Sequence, residues 1–238
     1  MIPTMNPDPR ALRPQAFGNR RVKDVSDPVI EPAWDGVRVL AHLDVAAARA
    51  AIRDSSGDDL TRDHAPIAHA LLAALAADSA IVDGYLTDQA TRASEGRAIV
   101  TSEIPSLSEH TSQFFLGQHG SELLGGRGRP GRTDLGRAAD EKERLEDAPI
   151  AFVAVDLVEL DGEPLFEIPL LERKRLLESA LGEGDLVRRT PYVREPAGTF
   201  IITWRSFGFG GLAYKAANSR YLPGSANDDW CMTPMPRR

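Results

Sequence analysis

Residues 150–159 are strongly apolar, and the turn-forming pair Asp161-Gly162 follows them closely. A run of this length that ends at a turn predicts a strand buried on both faces. Val37–Asp44 carries apolar residues mainly at alternate positions, which predicts a half-buried strand. Residues 80–87 and 210–216 predict two further strands, so the chain must build at least one sheet with a covered face.

Helical spacing of apolar residues appears at two places, residues 65–77 and residues 170–181. Pro169 suits the start of the second helix, and Gly182 suits its C-terminal cap. Thr and Ile in residues 199–207 favour a strand by propensity. These elements together predict an α+β fold.

Composition excludes several classes of protein. Hydrophobic residues make up 42% of the 238 residues and charged residues 26%, values that are ordinary for a globular protein. Cys231 is the only cysteine, which excludes an internal disulfide and a multi-cysteine zinc site. No apolar run approaches the roughly 20 residues that span a bilayer, and residues 1–14 lack the apolar core of a secretion signal. We therefore expect a cytoplasmic protein that does not contact a membrane.

The chain divides into a lead-in, a folded domain and a tail. Residues 1–27 are rich in proline and arginine and predict an extended, partly mobile lead-in, residues 28–232 predict the domain, and residues 233–238 predict a polar tail. Within the domain, about residues 118–147 predict a flexible insertion rich in Gly and Arg. Its arginines suit either a solvated loop or an arm that contacts a DNA phosphate backbone, although the net charge of −7 does not favour a general nucleic-acid binder. These arginines are Arg127, Arg129, Arg132 and Arg137.

Several short blocks follow one another in a fixed order. The first, Glu31 to Arg38, has the letters E-P-A-W-D-G-V-R, and Val82 to Leu86 has V-D-G-Y-L. The remaining blocks are G-D-D-L-T at 57–61, F-V-A-V-D-L-V-E-L-D-G at 152–162, P-L-L-E-R at 169–173, G-G-L-A-Y-K at 210–215, and S-R-Y-L-P-G at 219–224 with D-W at 229–230. Any one block is weak, since D-G pairs form turns in most proteins. The occurrence of all these blocks in one chain and in this order is strong evidence for a single, recognisable fold.

This order resembles that of the ATP-dependent DNA ligases, whose nucleophile block is E-x-K-x-D-G-x-R. The resemblance implies the nucleotidyltransferase fold of a ligase adenylation domain, an α+β fold with two antiparallel-rich sheets, flanking helices and a cleft between the sheets. It implies ATP and Mg²⁺ as cofactors and DNA or a nucleotide as partner. It also places a helix at residues 199–207, where propensity favours a strand. The OB-fold domain that those ligases carry after this point is not expected here.

The chain departs from the family pattern at the positions that do the chemistry. Ala33 replaces the lysine nucleophile, so the resemblance implies no catalytic residue here. The motif glutamates, the phosphate-binding lysines and the aromatic residue that would stack on adenine are also replaced. These positions hold Tyr85, Gly210, Met232, Pro234 and Val155. The residues that remain from a nucleotide pocket are Glu31, Asp35, Gly36, Arg38, Asp83 and Lys215.

Three hypotheses follow. The first is a degenerate ligase homologue that binds a nucleotide, DNA or a repair protein without ligase activity. The second is a protein-interaction module whose pocket is vestigial. The third is a weak enzyme that uses Lys23 or Lys215, or groups from a partner, although we expect Lys215 to contact a phosphate or to pair with Asp35 or Asp83. The five histidines lack metal-ligand spacing, so we assign no metal site.

Overall fold

The structure, a computed structural model, describes residues 11–89 and 149–236. Within these residues the chain forms three sheets and three α-helices. The helices are α1 (Ala65–Ala74), α2 (Leu170–Ala180) and α3 (Gly198–Ser206). The strands are β1 (Ala16–Phe17), β2 (Pro28–Pro32), β3 (Val37–Asp44), β4 (Arg49–Asp54), β5 (Ser79–Thr87), β6 (Ala151–Leu160), β7 (Glu163–Pro164), β8 (Val187–Arg189), β9 (Gly211–Ala216), β10 (Ala226–Asn227) and β11 (Trp230–Pro234). None of the described helices is long and apolar enough to cross a membrane.

The largest sheet has six strands in the order β4-β3-β5-β6-β7, with β8 parallel to β6 and the other pairs antiparallel. Its register places Arg38 opposite Tyr85 and Asp83 opposite Asp156. Because side chains alternate between the two faces of a strand, these four residues lie on one face. Helix α1 and the C-terminal half of α2 pack on the other face, where apolar residues of β3, β5 and β6 form the first core cluster. The N-terminal half of α2 instead contacts the polar side through Arg173 and Lys174.

A three-stranded antiparallel sheet, β11-β9-β2, packs against the polar face of the large sheet. Its register places Glu31 opposite Ala213, and Lys215 opposite both Val29 and Trp230. Two core clusters hold it in place. One lies between the sheets, and the other lies around α3 and includes Trp204, which is fully buried.

The predicted strands at 37–44, 80–87, 150–159 and 210–216 and both predicted helices are confirmed, with ends that agree within three residues. Helix α3, Gly198–Ser206, covers nearly all of residues 199–207, so the strand favoured by propensity is wrong there. Gly182 does not cap α2, because the helix ends at Leu181 in extended backbone and the Gly182 N–H donates to the Ala74 carbonyl. The α+β fold with antiparallel-rich sheets is confirmed.

Part of the predicted lead-in, residues 11–27, packs against the rest of the domain. Leu12, Gln15 and Val25 are buried, and β1 pairs in parallel with β10. At the other end, β11 extends two residues into the predicted tail. Residues 1–10, the predicted insertion at 118–147 and its four arginines lie outside the described residues.

Candidate functional site

Ala33 lies directly after β2, at the position of the motif nucleophile. Its N–H donates to the carbonyl of Gly211 at 3.0 Å, which continues the β2–β9 pairing by one residue. Alternation along β2 places Ala33 on the same side as Glu31. A Cβ added to Gly211 would lie 3.3 Å from the Ala33 Cβ, so the two backbones are in close contact. The methyl group of Ala33 therefore lies on the same side of β2 as the carboxylate of Glu31 and contributes no reactive atom.

Glu31 is shared by two buried lysines. Lys215 donates a hydrogen bond to Oε2 at 2.7 Å, and Lys174 contacts Oε1 at 2.5 Å as an ion pair without hydrogen-bond alignment. All three side chains are 2% exposed. Burial alone would raise the pKa of Glu31, but the charges of Lys174 and Lys215 hold it below its ordinary value. Burial, assisted by Lys215, lowers the pKa of Lys174 despite the opposing effect of Glu31.

This arrangement corrects the expected partner of Lys215, which is Glu31 and neither Asp35 nor Asp83. Sequence reasoning missed Lys174 altogether. The signal was present, because Lys174 lies four residues after Leu170 and three before Leu177, and both leucines are buried in the core. Helical spacing therefore places this lysine on the buried face of α2.

A second group centres on Asp83. Arg38 donates to both carboxylate oxygens of Asp83 at 2.7 Å, and the Tyr221 hydroxyl donates to one of them at 2.7 Å. Arg38 also donates to the Tyr85 hydroxyl at 3.0 Å. Burial raises the pKa of Tyr85, and the charge of Asp83 adds to this effect, so Tyr85 stays a neutral phenol. Arg38 therefore forms a bidentate ion pair with Asp83.

A third pair, Arg173 and Asp156, lies nearby with both side chains fully buried. Arg173 donates to the two carboxylate oxygens at 2.9 and 2.8 Å, and to the carbonyls of Ile168 and Ser219. This bidentate geometry satisfies both partners, which is what a buried ion pair requires. The three groups together define the charged cluster: Glu31, Arg38, Asp83, Asp156, Arg173, Lys174 and Lys215.

Aromatic rings cover this cluster. The Lys215 ammonium lies 4.3 Å from the centre of a Trp230 ring, and the Arg38 guanidinium lies 5.1 Å from that of Tyr85. Phe17 lies 5.8 Å from Arg38 and 6.0 Å from Lys215, within the range of cation–π attraction. The predicted cleft between the sheets is therefore filled at this point by the chain itself.

Asp35 and Gly36 do not join the cluster. Asp35 is exposed, and its N–H donates to the Gln89 side chain at 3.0 Å. Gly36 has a φ of 127°, and a Cβ there would lie 2.2 Å from the Leu86 carbonyl oxygen. Only glycine suits this turn, so the D-G pair positions the start of β3.

The replaced motif residues do not fit a magnesium ion. Tyr85 supplies a neutral hydroxyl where the family has a carboxylate, and both oxygens of Asp83 are held by Arg38. A guanidinium at this place repels a divalent cation, and Gly210 offers no side chain. Within residues 11–89 and 149–236, no group of three or more His, Cys, Asp or Glu side chains is placed to hold a metal ion.

Four further side chains near these motifs are buried in the core. Trp34 and Trp230 are core residues, with exposures of 6% and 0%, and Trp34 donates to the Thr190 hydroxyl at 2.8 Å. Cys231 is buried, and burial raises the pKa of its thiol, so it is an inert core residue. Val155 is buried in the core around α3 and offers no flat surface for a base.

Two solved ligase domains share the fold of this chain. The ligase domain of M. tuberculosis LigD superposes with a TM-score of 0.56 at 21% identity, covering 94% of this chain and 59% of that one. A mycobacterial DNA ligase D solved with ATP and MES superposes with a TM-score of 0.55 at 21% identity, covering 94% of this chain and 60% of that one. The fold is therefore that of a DNA ligase adenylation domain, a member of the nucleotidyltransferase class.

Sequence comparison gives the family. The family model for the ATP dependent DNA ligase domain matches residues 19–232, and the chain belongs to this family. It is 26% identical over 212 residues to a DNA ligase of Thermococcus onnurineus, covering 86% of this chain and 32% of that protein. It is 28% identical over 200 residues to the multifunctional non-homologous end joining protein LigD of Mycobacterium bovis, covering 84% of this chain and 20% of that protein. The chain thus spans a third or less of these two relatives.

Proposed function

We propose that this chain is a degenerate DNA ligase homologue that does not form a lysyl-AMP intermediate and acts by binding. Ala33 carries the proposal, because a methyl group at the nucleophile position cannot attack a phosphorus atom. The neutral Tyr85 and the engaged Asp83 support it, because the adenylation step in this family depends on a metal ion that this site does not fit.

The other lysines are poor substitutes for the missing nucleophile. Lys23 is exposed in the 3₁₀ turn Val22–Asp24, before β2, and lies outside the charged cluster. Lys174 and Lys215 are buried and paired with Glu31, so neither amine is free to act as a nucleophile toward a phosphorus atom. A nucleophilic amine must be neutral and aligned with the bond that breaks.

DNA is the ligand that the family and the names of the relatives favour, in the context of DNA repair. The non-homologous end joining role belongs to LigD, of which this chain covers a fifth, so it supports a repair context only as an analogy. The predicted contact is the arginine-rich stretch with Arg127, Arg129, Arg132 and Arg137, whose charge suits a phosphate backbone.

A protein-interaction module with a vestigial pocket is the second candidate. One observation favours it: the retained charged residues of the pocket satisfy one another instead of facing solvent. Glu31, Lys174 and Lys215 are each 2% exposed, and Asp83 is fully buried. Such a cluster holds the sheets together without any ligand.

Intact mass spectrometry after incubation with ATP and Mg²⁺ tests the central claim. We expect no covalent AMP on the wild-type chain. The matched variant Ala33→Lys, alone and combined with Tyr85→Glu and Gly210→Glu, tests whether the scaffold still supports the chemistry. A wild-type chain that gains one AMP through nitrogen, and loses that ability on Lys215→Ala or Lys23→Ala, would establish the weak enzyme instead.

Binding to nicked duplex DNA separates the two remaining candidates. We expect binding that weakens with salt, because phosphate contacts release counterions. Replacing the four arginines by serine should weaken it further, while the matched variant Arg175→Ser, on the exposed surface of α2, should leave it unchanged. No binding of nicked DNA at low salt would leave the interaction module as the function.

A further inference from the structure

Residues 12–18, the N-terminal cover, lie across the mouth of the charged cluster. The Gln15 N–H donates to the Tyr221 hydroxyl at 3.1 Å, and the Gln15 side chain accepts from the N–H of Leu222. The Gly18 N–H lies 2.9 Å from the carbonyls of both Asn227 and Trp230. The cover is thus fixed by directed hydrogen bonds along its length.

Phe17 is the part of the cover that touches the cluster. Its ring is partly buried, lies 5.7 Å from the Trp230 ring, and rests against the cationic groups of Arg38 and Lys215. These are the two retained pocket cations that could contact a phosphate. An aromatic ring therefore occupies the space in which an anion would meet both of them.

The charge balance of the cluster favours an anion. It contains four cations, Arg38, Arg173, Lys174 and Lys215, and three carboxylates. The three carboxylates are Glu31, Asp83 and Asp156. The difference is one positive charge, and it arises where Lys174 and Lys215, each 2% exposed, share the single carboxylate of Glu31. A buried excess charge is costly, and an anion that reached it would be bound favourably.

We propose that the N-terminal cover is an intramolecular plug, and that a phosphate-bearing ligand reaches Arg38 and Lys215 only when Phe17 is displaced. The ligand class is a nucleotide phosphate or free inorganic phosphate. The proposal rests on the proposed function only in treating the cluster as a retained binding site. It concerns non-covalent binding, so it stands or falls separately from the absence of a lysyl-AMP.

Gly18→Ala releases the cover without altering the walls of the site. A Cβ at this position would lie 2.5 Å from the Asp228 Oδ1 atom and 2.6 Å from its Cα atom, so the backbone must shift. Phe17→Ala removes the ring itself. The matched control is Phe200→Ala, which removes another partly buried ring, on α3, away from the cluster.

Calorimetry at low salt, with ATP and with inorganic phosphate as separate probes, measures the effect. We expect Gly18→Ala and Phe17→Ala to bind at least about tenfold more tightly than the wild type, because the competing closed state is removed. Phe200→Ala should match the wild type. Adding Lys215→Met to Gly18→Ala should abolish the gain. A response to phosphate as strong as the response to ATP assigns the site to free phosphate, and a response to ATP alone assigns it to a nucleotide.

Hydrogen exchange of residues 12–18 keeps the test decisive if either variant fails to fold. In the wild type with millimolar ATP, ligand binding should speed exchange of the Gly18 amide, because its hydrogen bonds must open. A wild type that binds ATP with the cover still protected overturns the proposal. Folded Gly18→Ala with an exposed cover and no gain in affinity overturns it equally.

Discussion

Replacing Glu31 by glutamine would leave Lys174 and Lys215 buried together without a counter-ion. The carboxylate contacts the two ammonium groups at 2.5 and 2.7 Å, and all three side chains are 2% exposed, so water cannot compensate for the loss. Removing one partner from a buried ion pair typically costs about 3–5 kcal/mol. Because a domain is stable by only about 5–15 kcal/mol, Glu31→Gln should remove a large fraction of the free energy of unfolding.

The same geometry predicts that Lys174→Met lowers the free energy of unfolding less than Glu31→Gln does. Lys174→Met leaves a balanced pair of Glu31 and Lys215, so it should change the free energy of unfolding by no more than about 1 kcal/mol, in either direction. The control is Glu172→Gln on the exposed face of α2, where the partner Arg175 is 60% exposed. An exposed pair of this kind contributes about 0–1 kcal/mol.

Urea unfolding, followed by tryptophan fluorescence and by circular dichroism, measures these differences. In Glu31→Gln the pKa of Lys174, already lowered by burial and by Lys215, should fall further. The unfolded chain then binds more protons than the folded chain at neutral to alkaline pH, so the stability of this variant should rise from about pH 7 to 9. A Glu31→Gln variant within about 1 kcal/mol of the wild type, or less affected than Lys174→Met, would refute the reasoning.

Three further outcomes are expected. The pKa of Glu31 in the folded chain lies below its ordinary value of 4.5. The contribution of Glu31 to stability is therefore complete above pH 4.5 and is lost as the pH falls through the folded pKa. Acid unfolding curves should show this loss in the wild type and not in Glu31→Gln. Gly36→Ala should lower the free energy of unfolding by about 3 kcal/mol or more, whereas Gly162→Ala, with φ of 82° and open space around it, should cost about 1 kcal/mol in the same urea assay. Thr190→Val leaves the Trp34 indole N–H buried without its acceptor and should cost about 1–3 kcal/mol, with a change in the tryptophan emission that reports the lost hydrogen bond.

Strands and amphipathic helices were predictable because burial imposes a period on the sequence. The apolar run in β6 follows from its two covered faces. The alternation in β3 predicts the strand, but Val39, Leu40 and Ala41 are all buried, so its centre is covered on both faces and not on one. The period of the apolar residues is a property of one segment, so it can be recognised without knowing how the rest of the chain folds.

Helix α3 shows where local preference fails. Its Thr and Ile residues favour a strand, yet the segment is helical because it packs Trp204 into the core around it. The hydroxyls of Thr203 and Ser206 donate to carbonyls one turn earlier, which satisfies them within the helix. Tertiary packing overrides propensity here, and only the family resemblance placed the helix correctly.

The composition of the charged cluster was only partly predictable. The blocks identified Glu31, Arg38, Asp83 and Lys215, but the partner expected for Lys215 was wrong, since pairing is a property of three-dimensional distance. The position of Phe17 was beyond sequence reasoning. It belongs to a two-residue strand, and its partner Asn227 lies near the other end of the described chain.

The bond between Glu31 and Lys215 joins residues 184 positions apart. A ribosome would release β2 long before it had synthesised β9, so the nascent chain carries Glu31 with no lysine from that strand to receive it. Contacts so distant along the chain form late and slowly. Assembly of the small sheet should therefore be the last event in folding. A chaperone would bind a chain in which the six-stranded sheet has formed while Lys174 and Lys215 are still apart.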